Sequence, residues 1–170
     1  MPSTETLAWA EQIALHMEKN TPRIEKCLAE LTEEEIWQRP NPQSNSVGNL
    51  LLHLCGNITQ YVLSSMGGLP DARVRDAEFA AEGGYTKAEL LDKLQRTVQE
   101  AVRIIRACDK EEMLRERTVQ GFQMNGAGIA VHVCEHYSYH TGQIAFWVKL
   151  LKAKDLGFYA GINLNAKNIA

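Results

Sequence analysis

Apolar residues recur at three- and four-residue steps over four long stretches of this chain, the spacing of helices that bury one face. In the first, from about Glu5 to Leu31, the positions Ile13, Met17, Ile24, Leu28 and Leu31 stay in phase across Pro22. That continuity predicts one kinked helix, with Thr21 and Pro22 restarting it as cap and first-turn residue. Thr32-Glu-Glu-Glu predicts a short turn carrying Trp37, and Pro40 and Pro42 enforce a loop. Ser46 caps a second helix reaching about Met66. Gly67-Gly68 and Pro70 end it. A long connection, Leu69 to Tyr85, leads to Thr86-Lys-Ala-Glu89, a capping box. The third helix follows to about Cys108 on the seam Leu91, Leu94, Val98, Val102 and Ile105. Asp109 to Met124 is irregular, with Arg117 to Gln123 extended. Asn125 or a residue near it opens the fourth helix, which ends near Lys152, and a tail from Asp155 should dock Leu156, Phe158 and Tyr159 on the helices. With four amphipathic stretches and no convincing strand, the expectation is a single all-α domain over residues 1–170, a four-helix bundle. The long connection between helices 2 and 3 argues against short loops throughout.

Polar residues in the wrong place carry the functional signal. The second helix is apolar nearly all round at Leu50-Leu-Leu-His53-Leu-Cys, yet Asn49, His53, Asn57 and Gln60 form one narrow polar stripe. A polar line on a buried helix must face something polar. On the fourth helix, His132, His136 and His140 stand four residues apart. The expected seam there is Ile129, Val133, His136, His140, Ile144, Trp147 and Leu151, which puts His136 and His140 on it and His132 to one side. Two buried imidazoles at that spacing either find hydrogen-bond partners or grip one cation between them. His53 is the natural third ligand from the facing helix. Three protein ligands leave a coordination position open, the pattern of catalytic rather than structural sites, and imidazole donors suit Zn, Ni, Fe or Cu alike.

Composition narrows the classes. Hydrophobic residues make up 45% and charged residues 23% of 170, an ordinary globular balance, and the net charge of −3 leaves no basic footprint for nucleic acid. Neither a membrane-length apolar run nor a signal-like N-terminus is present, so a cytoplasmic protein is expected. Cys27, Cys55, Cys108 and Cys134 are scattered singly in apolar patterns and read as small buried hydrophobes. His-Glu-x-x-His and Glu-x-x-His are both absent, which removes the zincin and di-iron bundle patterns. In the long connection, Arg73 and Arg75 either pair with its acids on the surface, the simpler reading, or border the site. Asn57 and Gln143, each about a turn beyond a histidine, could contact substrate or water; for Gln143 an interhelical contact is the simpler reading.

The segments Asn45-Ser-Val-Gly-Asn-Leu-Leu-Leu-His53-Leu-Cys-Gly-Asn57, Arg73-Val-Arg75-Asp76-Ala-Glu78-Phe79 and His132-Val-Cys-Glu-His136-Tyr-Ser-Tyr-His140-Thr-Gly-Gln143-Ile resemble the DinB/YfiT-like superfamily of metalloenzymes. The resemblance extends to the tail Lys154-Asp-Leu-Gly-Phe-Tyr159. It implies a four-helix bundle, commonly a homodimer, holding a divalent metal (often nickel or zinc) on His53, His136 and His140, with His132 not a ligand. It implies no DNA binding. Some relatives are transferases or isomerases working with bacillithiol, mycothiol or glutathione. The mycothiol-dependent isomerases carry an extra domain that these residues do not supply, so that activity is not expected. Three functions follow as expectations: a metal-dependent S-transferase acting on a small-molecule substrate with a low-molecular-weight thiol, a metal-dependent hydrolase, or a non-catalytic metal-binding protein.

Overall fold

Two helices stand where the pattern from Glu5 to Leu31 predicts one kinked helix: α1, Thr4–Glu18, and α2, Thr21–Ala29, in a computed structural model that describes residues 4–169. The chain leaves the helix at Lys19 and Asn20, and the Asn20 carbonyl accepts from the backbone N–H groups of Arg23 and Ile24. Asn20, not Thr21, occupies the cap position. Thr21 and Pro22 fall in the first turn, where a missing proline N–H costs nothing. The Thr21 hydroxyl is thereby free to meet the hydroxyl of Tyr137 at 2.8 Å.

The next helix, α3, Val47–Ile58, is capped by Ser46 as expected, but Asn49 closes the box in place of Glu or Gln. The Ser46 hydroxyl accepts from the Asn49 N–H, and Asn49 Oδ1 accepts from the Ser46 N–H. The chain then widens into a π-helical turn, Thr59–Ser64, and ends at Gly68 in a left-handed conformation, where the Leu69 N–H reaches back to the Leu63 carbonyl. The long connection contains a short helix, α4, Arg75–Ala80. The capping box of Thr86 and Glu89 starts α5, Lys87–Ala107.

Beyond α6, Lys110–Leu114, the expectation of no strand fails. Glu116–Val119 (β1) and Phe122–Asn125 (β2) form an antiparallel hairpin, paired from Glu116 with Asn125 to Val119 with Phe122. Its two turn residues, Gln120 and Gly121, both have positive φ. That geometry usually calls on Asn or Asp before the glycine, so Gln-Gly between two four-residue strands is a weak signal. Asn125 then caps α7, Gly126–Lys152.

The helix α3 packs on α5 and α7, α1 also lies against α5 and α7, and α2 covers α7. One core joins them through Met17, Ile24, Leu51, Leu54, Leu94, Ile105, Ile129 and Ile144, all fully buried. Leu156 of the tail is buried and Phe158 packs on the core, while Tyr159 is half exposed and accepts from Arg23. The fold is thus mostly helical with one small hairpin. Among the described residues no helix is long and apolar enough to cross a membrane.

Candidate metal centre

The polar stripe of α3 faces two elements, α7 and the long connection. The core side of α7 differs from the expected seam: Tyr137 lies at its centre, fully buried, while His136, Trp147 and Leu151 fall at the margin. A tyrosine can take that place because Thr21 satisfies its hydroxyl. His140 is buried, 8% exposed, and His136 is half-buried at the mouth.

His53, His136 and His140 nevertheless come together. Each offers a ring nitrogen, and all three atoms lie within 4.8 Å of one another. Nitrogens about 2.1 Å from one ion are separated by roughly 3–4 Å, so the cluster has nearly the required size. His53 Nε2 stands 2.9 Å from His136 Nε2.

Two of the three rings are held from behind. His53 Nδ1 lies 2.9 Å from Glu78 Oε2, on α4. Arg73 Nη2 is also 3.1 Å from that nitrogen, and both contacts cannot be served by one protonation state. A bare Nδ1 lone pair would oppose the carboxylate, whereas the Arg73 hydrogen already points to Glu78 Oε2, 2.9 Å away. We therefore assign the proton to Nδ1, which donates to Glu78 and leaves Nε2 with its lone pair. By the same logic His140 Nδ1–H donates to Gln143 Oε1 at 2.7 Å, freeing its Nε2. A carboxylate or carbonyl behind each imidazole is the support that metal-ligating histidines have. In the metal-free chain, His136 Nε2 must carry a proton toward His53; a cation would let both lone pairs face it instead.

The connection that supplies Glu78 is fastened at several points. Arg73, with its side chain 4% exposed, donates to Glu78 Oε1 at 2.7 Å and to Gln60 Oε1 at 2.9 Å. Asn49 Nδ2 donates to the carbonyls of Glu78 and Ala81, and Arg39 to that of Phe79. The Phe79 ring covers His53 at 4.7 Å, and Arg75 lies over Phe79. Gly56 makes the approach possible, because a Cβ there would come within 1.9 Å of Glu78 Oε1. Arg73 therefore pairs with an acid of the connection, but buried beside His53, so for this residue the reading in which the connection borders the site holds rather than the simpler one of surface pairing.

Electrostatics keep His136 and His140 neutral. Burial pushes the Glu78 carboxyl up, but hydrogen bonds from Arg73 and then His53 outweigh it and hold the group below its ordinary value. Burial, followed by the neighbouring His140, His53, His132 and Arg73 charges, lowers His136 to about 3. His140 is also lowered, mainly by burial, against the opposing pull of Gln143. Neutral imidazoles are the form that binds cations.

His132 stays outside the cluster. Its ring stacks between Tyr61, 4.3 Å away, and His136, 5.4 Å away, and its Nε2 lies 3.3 Å from Asn57 Nδ2. Asn57 Oδ1 is buried without a partner among the described residues. Sequence reasoning missed Glu78, and the contacts of Gln143, with His140 and Tyr139, lie within its own helix rather than between helices. A glycine inside a buried helix costs about 1 kcal/mol against alanine, and Gly56 was the available sign that another group comes close.

Comparison with known proteins places the fold. The family described as "protein of unknown function (DUF1572)" matches residues 5–160, and no curated protein matches the chain. A conserved protein of Enterococcus faecalis superposes with a TM-score of 0.70 at 18% identity, over 91% of this chain and 99% of its own. A DinB-like protein of Bacillus subtilis, YjoA, gives 0.65 at 17% identity, covering 85% and 94%. Another from Bacillus cereus gives 0.65 at 15%, covering 87% and 93%. At such low identity these likenesses show the fold alone. The chain belongs to the family described as "protein of unknown function (DUF1572)".

Proposed function

We propose that this chain, on a four-helix-bundle scaffold, holds one divalent cation, nickel or zinc, on His53, His136 and His140 and acts as a thiol-dependent S-transferase. The observation that carries the reading is the convergence of three imidazoles, two of them backed by Glu78 and Gln143. When bound, the cation would supply a fixed positive charge favouring the anion of a thiol that is mostly protonated at neutral pH. Arg73 and Glu78 hold the His53 ring in its metal-binding tautomer, and Gln143 does the same for His140. The Phe79 ring shields His53 from water. Asn57 Oδ1, buried and unpartnered, is the acceptor we assign to a substrate N–H or O–H. In the transfer, the thiol gives its proton to solvent and its sulfur bonds to an electrophilic carbon. The bond from that carbon to the leaving group breaks, and the electron pair departs with that group.

Cobalt(II) substitution tests this. Glutathione should raise a near-ultraviolet sulfur-to-metal charge-transfer band in the wild type and none in His136→Ala. An unchanged spectrum under saturating thiol would sink the transferase and move the metal-dependent hydrolase ahead of it.

A further inference from the structure

His53 and His140 each have a group behind the imidazole, and His136 does not. Among the described residues its one hydrogen-bonding contact is His53 Nε2, at 2.9 Å. What borders its ring is another ring. His132, one turn earlier on α7, is stacked on His136 at 5.4 Å with the planes 21° apart. Tyr61 packs on His132 at 4.3 Å, and Asn57 Nδ2 meets His132 Nε2 at 3.3 Å. The row ends at the β1–β2 hairpin, where Gln120 Oε1 accepts from the Tyr61 hydroxyl at 3.0 Å.

Two unusual pieces of backbone meet in this row. Tyr61 lies in the π-helical turn Thr59–Ser64, a form found mostly as single turns and frequently at functional sites. Gln120 has a φ of 53°, in the left-handed region that Gly, Asn and Asp enter far more readily. An asparagine before Gly121 would suit the turn better, but its amide stops one methylene short of Tyr61. Tyr61 is only 2% exposed, so its hydroxyl needs an acceptor, and Gln120 provides it.

We propose that Gln120, Tyr61 and His132 are positioning residues for the third ligand: the row fixes the plane of the His136 ring so that its Nε2 keeps facing His53 Nε2. The inference rests on the metal reading and is independent of the reaction. Gln120→Asn in the full-length chain separates this role from a merely structural one. The turn gains its preferred residue, so Tm should hold or rise, while cobalt(II) affinity should fall about three- to tenfold, less than the 10–100-fold of a group bonded directly to a ligand. Tyr61→Phe keeps the stack, loses the hydroxyl and should weaken cobalt(II) to a similar extent. His132→Ala should weaken it about tenfold while one ion per chain still binds. Competition with a chromophoric chelator reads the affinities. In metal-stripped protein the His136 Cε1–H resonance should move in Gln120→Asn and in Tyr61→Phe. Wild type that takes up no cobalt would remove the metal reading, and that resonance would then decide: moved, it upholds the row as the support of His136; unmoved, it overturns it. Wild-type cobalt affinity in both Gln120→Asn and Tyr61→Phe would overturn the proposal, as would a loss of affinity in Gln120→Asn accompanied by a lowered Tm, which would assign Gln120 to the fold alone.

Discussion

Replacing Glu78 with alanine removes the acceptor of three hydrogen bonds: from Arg73 Nε at 2.7 Å, from Arg73 Nη2 at 2.9 Å and from His53 Nδ1 at 2.9 Å. The larger consequence is what remains. The Arg73 side chain is 4% exposed, so its guanidinium would sit buried with only Gln60 Oε1 to receive it. Breaking one partner of a buried pair costs about 3–5 kcal/mol. For a chain of this length that lowers Tm by roughly 6–20 °C. Cation affinity should fall about 10–100-fold, because His53 loses the carboxylate that fixes its tautomer. Thermal melts in chelator measure the first effect, and competition with a chromophoric chelator the second. The double variant Arg73→Leu/Glu78→Leu separates them: it leaves no orphaned charge, so most of the stability should return while the affinity stays low. If Glu78→Ala melts within about 2 °C of wild type and binds cations equally well, the carboxylate neither orients His53 nor anchors the connection.

Four further outcomes follow. Gly56→Ala should mimic part of this loss, since its methyl displaces Glu78 while helix propensity alone would favour alanine by about 1 kcal/mol; a stabilised variant would refute the close approach. In metal-free protein, His136 titrates near 3 when folded and near 6.5 when unfolded, so its contribution is complete above pH 6.5 and lost as pH falls toward 3. Between pH 7.5 and 5.5 that amounts to about 1.4 kcal/mol, or roughly 3–6 °C in Tm, with His140 and His132 adding in the same direction; His136→Ala should reduce the pH dependence, and an unchanged dependence would refute the shift. With zinc present, chelator should lower the Tm of wild type and of His132→Ala by several degrees but leave His53→Ala unmoved; the reverse ranking would put the ligands on the wrong face of α7. Light scattering at micromolar concentration should give a homodimer, as the family resemblance implies, and a monomer would remove that expectation.

Much of this architecture could be read from the sequence where one local signal had one meaning. Ser46, Thr86 and Asn125 each cap a helix, and the polar stripe Asn49, His53, Asn57 and Gln60 faces polar partners. Helical periodicity was insufficient where the burial of one large residue depended on a distant partner. Tyr137 carries a hydroxyl that needs a partner when buried, and Thr21, far off in the chain, supplies it, so that Tyr137 fills the centre of α7's buried face and His136 moves to the edge. Glu78 was hidden for the same reason. An acid in a long charged connection looks solvated, and only the folded chain shows that Gly56, Arg73 and Asn49 together draw it against His53. The hairpin was lost because Gln120-Gly121 lacks the usual turn chemistry.

The most direct test of the central claim is a count of bound cations. Protein purified without an affinity tag, stripped and then titrated with zinc or nickel by calorimetry, should take up one ion per chain. The same stoichiometry should hold for His132→Ala, and specific uptake should vanish in His53→Ala, His136→Ala and His140→Ala alike. Folded wild-type protein that takes up no ion, or triad variants that bind as tightly as wild type, would contradict the account.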